Sequence, residues 1–451
     1  MDLLIKNGRL VLAHEIVMAD LLIECGKISR IEESINLNSI PRIDAEGAFV
    51  MAAGIDPHVH LSLPTPKGYS SDDFHSGSQA ALAGGTTCFI DFVTPEKGEN
   101  LKAAFLKRKA EVRHCYCDFA FHMSIVEWRD EIPDEMEVCV NELGITSFKT
   151  YLAYQKTIGI SFELLEKTMN VAKNLNVSVT IHAELGNEID QMRSEAIAAR
   201  QIENSFHAKT RPDYTEYKAV EKVIELVKKT KCETYIVHVS TADSLNKIQQ
   251  ANKNGIPIYA ETCPQYFTFN DSVYAKEKSQ SNGFVMSPPI RSEENRKGIL
   301  NGIVQKQVLT IGTDHCPFST QQKNAAANFS EIPNGAGGIQ HRLAMVHAAF
   351  VHTNQVSMIE FSKLVSAQAA QFFRLENKGE IRIDFDADLV ILRPVSESIG
   401  QQKLYSKSDI DIYANELIYA KPAIVIKGGY IVFQNDHLSE KPPRGKYIHR
   451  K

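Results

Sequence analysis

The chain has 451 residues, 43% hydrophobic and 23% charged, with a formal net charge of −5. That is enough apolar material for a large core and more than one structural unit, and the balance gives no electrostatic footprint for nucleic acid. No apolar run is long enough for a membrane span, and no basic stretch followed by a long apolar one marks a secretory signal.

The first 50 residues read as β structure. Short apolar runs at 3–5, 9–12, 20–23 and 27–31 are punctuated by Asn7-Gly8 and Cys25-Gly26, which predict tight turns. From residue 54 the texture alternates. Strand-like runs fall at 54–61, 86–93, 117–124, 147–152, 178–184, 234–240, 257–263 and 309–315. Helical patterns separate them, among them 100–112, 162–175, 215–229 and 241–252. Ser70, Ser71, Asp72 and Asp73 offer capping chemistry ahead of a helix at 74–82, which Gly84-Gly85 terminates. Eight such units predict an α/β fold, a (β/α)8 barrel over residues 53–375.

A last helical pair at 340–352 and 357–374 precedes renewed β texture at 379–383, 387–392 and 424–433. The terminal segments, 1–52 and 376–451, hold short strands that need a shared core. One smaller composite β-sandwich built from both termini is therefore expected. The eight Cys form no CxxC pair, which argues against a zinc finger. They read as free thiols of a cytoplasmic protein.

Residues with metal-ligand chemistry close several of the strand-like runs. His58 and His60 are two apart, so on a strand both imidazoles point the same way. His182, His238 and Asp314 end later runs. Such residues meet only where strand ends converge, as at the C-terminal face of a parallel barrel. His315 points the opposite way on a strand and is left out of the metal shell. Lys149 is the anomaly, a charged amine on an apolar strand where burial is costly. Pro333-Asn-Gly-Ala-Gly-Gly338 lacks the Gly-Lys-Ser/Thr of a phosphate loop.

Taken together, Gly54-Ile-Asp-Pro-His-Val-His60, Lys149, His182, His238 and Thr313-Asp-His-Cys-Pro-Phe318 resemble the cyclic amidohydrolases. Within them the chain is most similar to the dihydropyrimidinase/hydantoinase branch. Phe148-Lys-Thr-Tyr-Leu-Ala-Tyr154, Glu261-Thr-Cys-Pro-Gln-Tyr266, Met286-Ser-Pro-Pro-Ile-Arg291 and Ile332-Pro-Asn-Gly335 carry that likeness. The resemblance implies hydrolytic opening of a cyclic amide at two divalent metal ions, zinc in the first instance. Lys149 would be an N6-carboxylysine bridging them. His58, His60 and Asp314 would hold one ion, and His182 and His238 the other, with a hydroxide between. Asp314 would also carry the proton to the leaving nitrogen. Tyr154 would support the oxyanion and contact substrate, and the backbone groups of Ser287 and Asn334 would bind the ring amide. A homotetramer is implied; as a separate expectation, the terminal Gly445-Lys-Tyr-Ile-His-Arg450 docks on a neighbouring subunit.

Ser62 stands where dihydroorotases carry Arg and allantoinases carry Asn. That favours a neutral ring, a 5,6-dihydropyrimidine or a 5-substituted hydantoin, with Leu63, Thr65 and Tyr151 near its substituent. Gly337, Gln340, Ala369 and Arg374 also depart from the usual pattern. An allantoinase-like ureido-ring hydrolase is the second reading, and a non-catalytic scaffold relative the third.

Overall fold

A computed structural model describes residues 2–37 and 39–451. Eight parallel strands form one sheet in chain order: Gly54–Asp56, Thr86–Val93, Asp118–Ser124, Ser147–Tyr151, Ser178–His182, Thr234–Ile236, Ile258–Thr262 and Thr310–Ile311. A parallel bridge between Val59 and His315, with His60 N donating to His315 O at 2.8 Å, closes the ring between first and last strands. Helices on the outside explain why the strands are apolar on both faces. Thr86–Val93, for example, is buried at every position.

The long helix after the fifth barrel strand buries one stripe. Asp213–Thr230 buries Ala219, Val220, Val223, Ile224 and Val227, spaced three and four apart. Phe74–Ala83 begins at Asp73, whose side chain accepts from Ser76 N at 2.8 Å, while Ser76 Oγ accepts from Asp73 N. It ends at Gly84, where a Cβ would lie 2.5 Å from Gln340 O. The closing helical pair contains two wide π turns, His347–Val351 and Lys363–Ala367.

The termini share one mixed sheet of nine strands. Phe49–Ala52 pairs antiparallel with Leu389–Ser398, Met51 facing Val390. Ile5, Leu21 and Ile28 share a buried cluster with Leu389, Ile391, Ile424 and Ile426. Three local expectations change. Asn7-Gly8 is no turn: Leu3–Val11 runs through it as one strand with a bulge, because Asn7 takes φ 54° and donates its N–H to Asp20. Residues 379–383 form no strand, although the following Phe385 O accepts from Ile28 N. The 424–433 run is a hairpin, with Leu417–Lys427 and Tyr430–Gln434 turning at Gly428-Gly429.

The sheet is bolted to the start of the third barrel strand by charge. Lys378 Nζ lies 2.8 Å from Asp118 and 2.7 Å from Asp388, and Lys427 Nζ 2.8 Å from Asp118. The C-terminal tail docks here on its own barrel. Gly445 N donates to Cys115 O, Phe119 N to Lys446 O and Ile448 N to Phe119 O. The barrel floor thus offers the tail backbone groups of its own chain. Arg450 is fully buried and donates to Phe121 O and Ser147 Oγ.

Candidate active site

At the opposite end of the barrel, the strand C-termini bring the chemistry together. Asp56 ties the first strand to the last: its Oδ1 accepts from His58 N at 3.1 Å and Thr313 N at 3.2 Å, and its Oδ2 from Thr313 Oγ1 at 2.6 Å. The result is a triangle of donor atoms. His58 Nε2, His60 Nε2 and Asp314 Oδ1 are each 3.2 Å from the other two. Four ligands at about 2.0–2.1 Å around a tetrahedral ion stand about 3.3 Å apart, so the triangle has the size of one face of such a shell. His238 also offers a donor within 4.8 Å of those of His58 and Asp314.

Buried carboxylates fix the imidazoles. Glu261 Oε1 lies 2.7 Å from His58 Nδ1, and because a carboxylate only accepts, Nδ1 carries the proton and Nε2 is free to ligate. The same Glu261 accepts from His238 N at 3.0 Å and, through Oε2, from Tyr235 OH at 2.8 Å. Glu184 Oε2 lies 2.7 Å from His182 Nε2, which leaves the His182 Nδ1 for a metal. Burial works against the Glu184 charge, but Arg211 and His182 hold its pKa down to about 2. His238 Nδ1 is buried without a partner among the described residues, an orphan that a cation would satisfy.

The electrostatics also suit a cation. Burial disfavours the His58 imidazolium, yet Glu261 and Asp314 draw its pKa up to about 9. Burial likewise opposes the Asp314 carboxylate, while His58 and His60 hold it well below its ordinary range. A dication can take the place of that proton on His58. Three of these residues stand on left-handed backbone: His238 at φ 40°, Asp314 at 53° and Tyr154 at 58°. Such positions are sparsely populated and cluster at functional sites.

Lys149 is fully buried, its Nζ 5.0 Å from the centre of the Phe92 ring and 5.1 Å from that of Tyr151. Burial pulls its pKa down to about 7, and its carboxylate neighbours only partly offset this. A large share of the amine is therefore neutral at physiological pH, the state that reacts with CO2. The Phe92 ring also stacks on His60 at 4.6 Å, packing the base of the centre.

Tyr154 is in T-shaped contact with His182, ring centres 5.3 Å apart, and the Arg211 guanidinium lies 5.8 Å from its ring centre. Burial raises the phenol's pKa while the Arg211 charge opposes that, so it remains an O–H donor. Ser287 Oγ and Asn334 Oδ1 are buried with no partner among the described residues. Leu63 and Thr65 are half-buried, Thr65 in a hairpin with Gly68–Tyr69, whereas Tyr151 is buried against Lys149. His315 faces away from the triangle, its Nε2 3.0 Å from Asp72 and its Nδ1 accepting from Gly338 N at 3.1 Å.

Sequence reasoning passed over Glu184, Glu261 and Arg211. A signal existed for the first, which follows His182 by two residues on an apolar run. Glu261 heads a motif quoted above, but only the fold brings it to His58.

Comparison with known proteins adds the following. The amidohydrolase family model matches residues 49–432. A D-hydantoinase of Geobacillus stearothermophilus is 34% identical over 456 aligned positions, covering 100% of this chain and 97% of that protein. A dihydropyrimidinase of Arabidopsis thaliana is 34% identical, covering 99% of this chain and 85% of that one. The crystal structure of a dihydropyrimidinase from Brevibacillus agri superposes with a TM-score of 0.96 at 31% identity, over 100% of this chain and 99% of the other.

Proposed function

As this chain belongs to the amidohydrolase family, we propose that it opens a neutral cyclic amide, a 5,6-dihydropyrimidine or a 5-substituted hydantoin, at a two-zinc centre. That it is a hydrolase of cyclic amides follows from its relatives. One observation carries the metal reading: three donor atoms 3.2 Å apart beside a buried lysine. Imidazole and carboxylate donors suit zinc. His58, His60 and Asp314 would hold one ion and His182 and His238 the other. Lys149 as N6-carboxylysine would hold both, which turns a misplaced amine into an anionic oxygen ligand.

Two divalent ions held there supply an ionised water at neutral pH and polarise the ring carbonyl. The remaining work belongs to side chains. Asp314, kept anionic, takes the proton of the attacking water and passes it to the ring nitrogen as the C–N bond breaks. The Tyr154 hydroxyl donates to the carbonyl oxygen as charge builds there. Ser287 and Asn334 hold the ring amide, turning the scissile carbonyl toward the centre. The product is a linear ureido acid. Ser62, where a dihydroorotase-like chain would carry a cation, supports an uncharged ring. The family likeness extends the reading to a cytoplasmic homotetramer, which native mass measurement tests.

The test is one assay panel on purified protein of measured metal content. Dihydrouracil and 5-substituted hydantoins should turn over, and allantoin and dihydroorotate should not. Turnover of dihydroorotate alone sinks the substrate reading. Inactivity on every ring after zinc and bicarbonate are added sinks the enzymatic one.

A further inference from the structure

Among the described residues, Lys323 is, with Lys149, a buried lysine with no ion pair. It lies in the short helix Thr320–Asn324 that follows the last barrel strand, 1% exposed. No carboxylate stands within ion-pair distance of it among the described residues. An amine is costly to bury, so its position needs a reason. The structure supplies one. Lys323 Nζ donates to Val285 O at 2.9 Å and to Gly283 O at 3.4 Å. Val285 O also accepts from Gly335 N at 3.1 Å. One carbonyl oxygen thereby joins three pieces of chain: the segment leading to Ser287, the turn after Asn334 and the helix carrying Lys323.

The neighbours leave little slack. Asn282 is bonded to Asn324 at 2.6 Å, and Met286 O accepts from His207 Nε2 at 2.7 Å. Gly335, at φ +144°, approaches Cys316 so closely that a Cβ would lie 2.3 Å from its carbonyl oxygen. Cys316 N donates to Ala336 O at 3.0 Å, continuing the last barrel strand into the same turn. Gly283 and Val285 have only carbonyls to offer Lys323, and a buried carbonyl without a donor is itself unfavourable.

We propose that Lys323 is a positioning residue for substrate: it sets the spacing between the Ser287 and Asn334 segments, and so the slot that takes the ring amide. This rests on the reading of those two residues as ring contacts. Lys323 touches neither the metal donors nor Asp314, so it acts on binding and leaves the chemical step alone.

The experiment compares Lys323→Met and Lys323→Gln with the wild-type holoenzyme, on a ring that the wild type opens. KM, kcat, metal content and thermal midpoint are measured together. Lys323→Met should raise KM by about tenfold or more while kcat stays within about threefold and metal content is unchanged. Lys323→Gln keeps a donor and should fall between Met and wild type. A soluble Lys323→Met enzyme with wild-type KM overturns the proposal. So does a loss of kcat that tracks lost metal, or insolubility of both variants, which assigns Lys323 to the fold alone. If the wild type opens no cyclic amide, the parent reading has failed instead.

Discussion

Glu261 Oε1 and His58 Nδ1 are 2.7 Å apart, and both groups are fully buried. That contact decides which imidazole nitrogen is left to ligate, because it pins the proton on the other one. Glu261→Gln keeps the shape but can present an N–H to Nδ1 and favour the wrong tautomer. Metal affinity should fall by about 10–100-fold, as is common when such a supporting partner is lost. Elemental analysis after dialysis against a weak chelator checks this; full retention of both ions would show that Glu261 does not govern the tautomer.

Lys149→Ala should lose metal and activity together. If Lys149 carries CO2, a short carboxylic acid added at high concentration should restore part of both by occupying the vacated space. A Lys149→Ala enzyme of wild-type activity refutes the carbamate outright.

For Tyr154→Phe the expected signature differs. Metal content and KM should hold, while kcat falls by about 10²–10³-fold, the usual cost of one oxyanion donor. A change confined to KM would recast Tyr154 as a binding group only.

Acid stability offers a separate check on the junction between barrel and sheet. Although burial works the other way, Lys378 and Lys427 hold Asp118 down to about 2, against an ordinary 3.8. A depressed carboxylate stabilises the fold above its unfolded pKa, and that contribution disappears as pH falls through the folded value. Asp118→Asn should therefore lower Tm clearly at pH 7, by roughly 3 kcal/mol in stability as for a broken buried pair. The gap to wild type should narrow between about pH 4 and 2. Equal Tm values at pH 7 rule out a stabilising role for this cluster.

Tail removal addresses the contact that sequence placed on another subunit. Deleting residues 445–451 unpairs Phe119 N and takes Arg450 from the barrel floor. Tm should drop while the native mass stays unchanged. A shift in mass with unaltered Tm would favour an intersubunit role.

How far the sequence could be read follows from where each signal resides. The barrel strands were legible because both faces are buried, which leaves long apolar runs, and because His182, His238 and Asp314 end them. Asn7-Gly8 misled because a bulge and a hairpin turn ask for the same left-handed residue; only the partner strand, with Asp20 bonded to Asn7, separates the two. Glu261 and Lys323 were invisible for a different reason. Their importance lies in partners 203 and 38 residues away that only the closed barrel and its loops supply. A buried lysine on a short helix carries no periodicity of its own.

The pairing of Met51 with Val390 has a consequence for biosynthesis. The strand Phe49–Ala52 leaves the ribosome before the barrel and waits for Leu389–Ser398, which is made after it. At about 10 residues per second the wait is on the order of half a minute. Throughout it, one edge of the N-terminal strands is open to pairing with another chain. The nascent protein is thus exposed to misassociation at the segment that ends in the metal motif, and chaperone demand should track how slowly the barrel is translated.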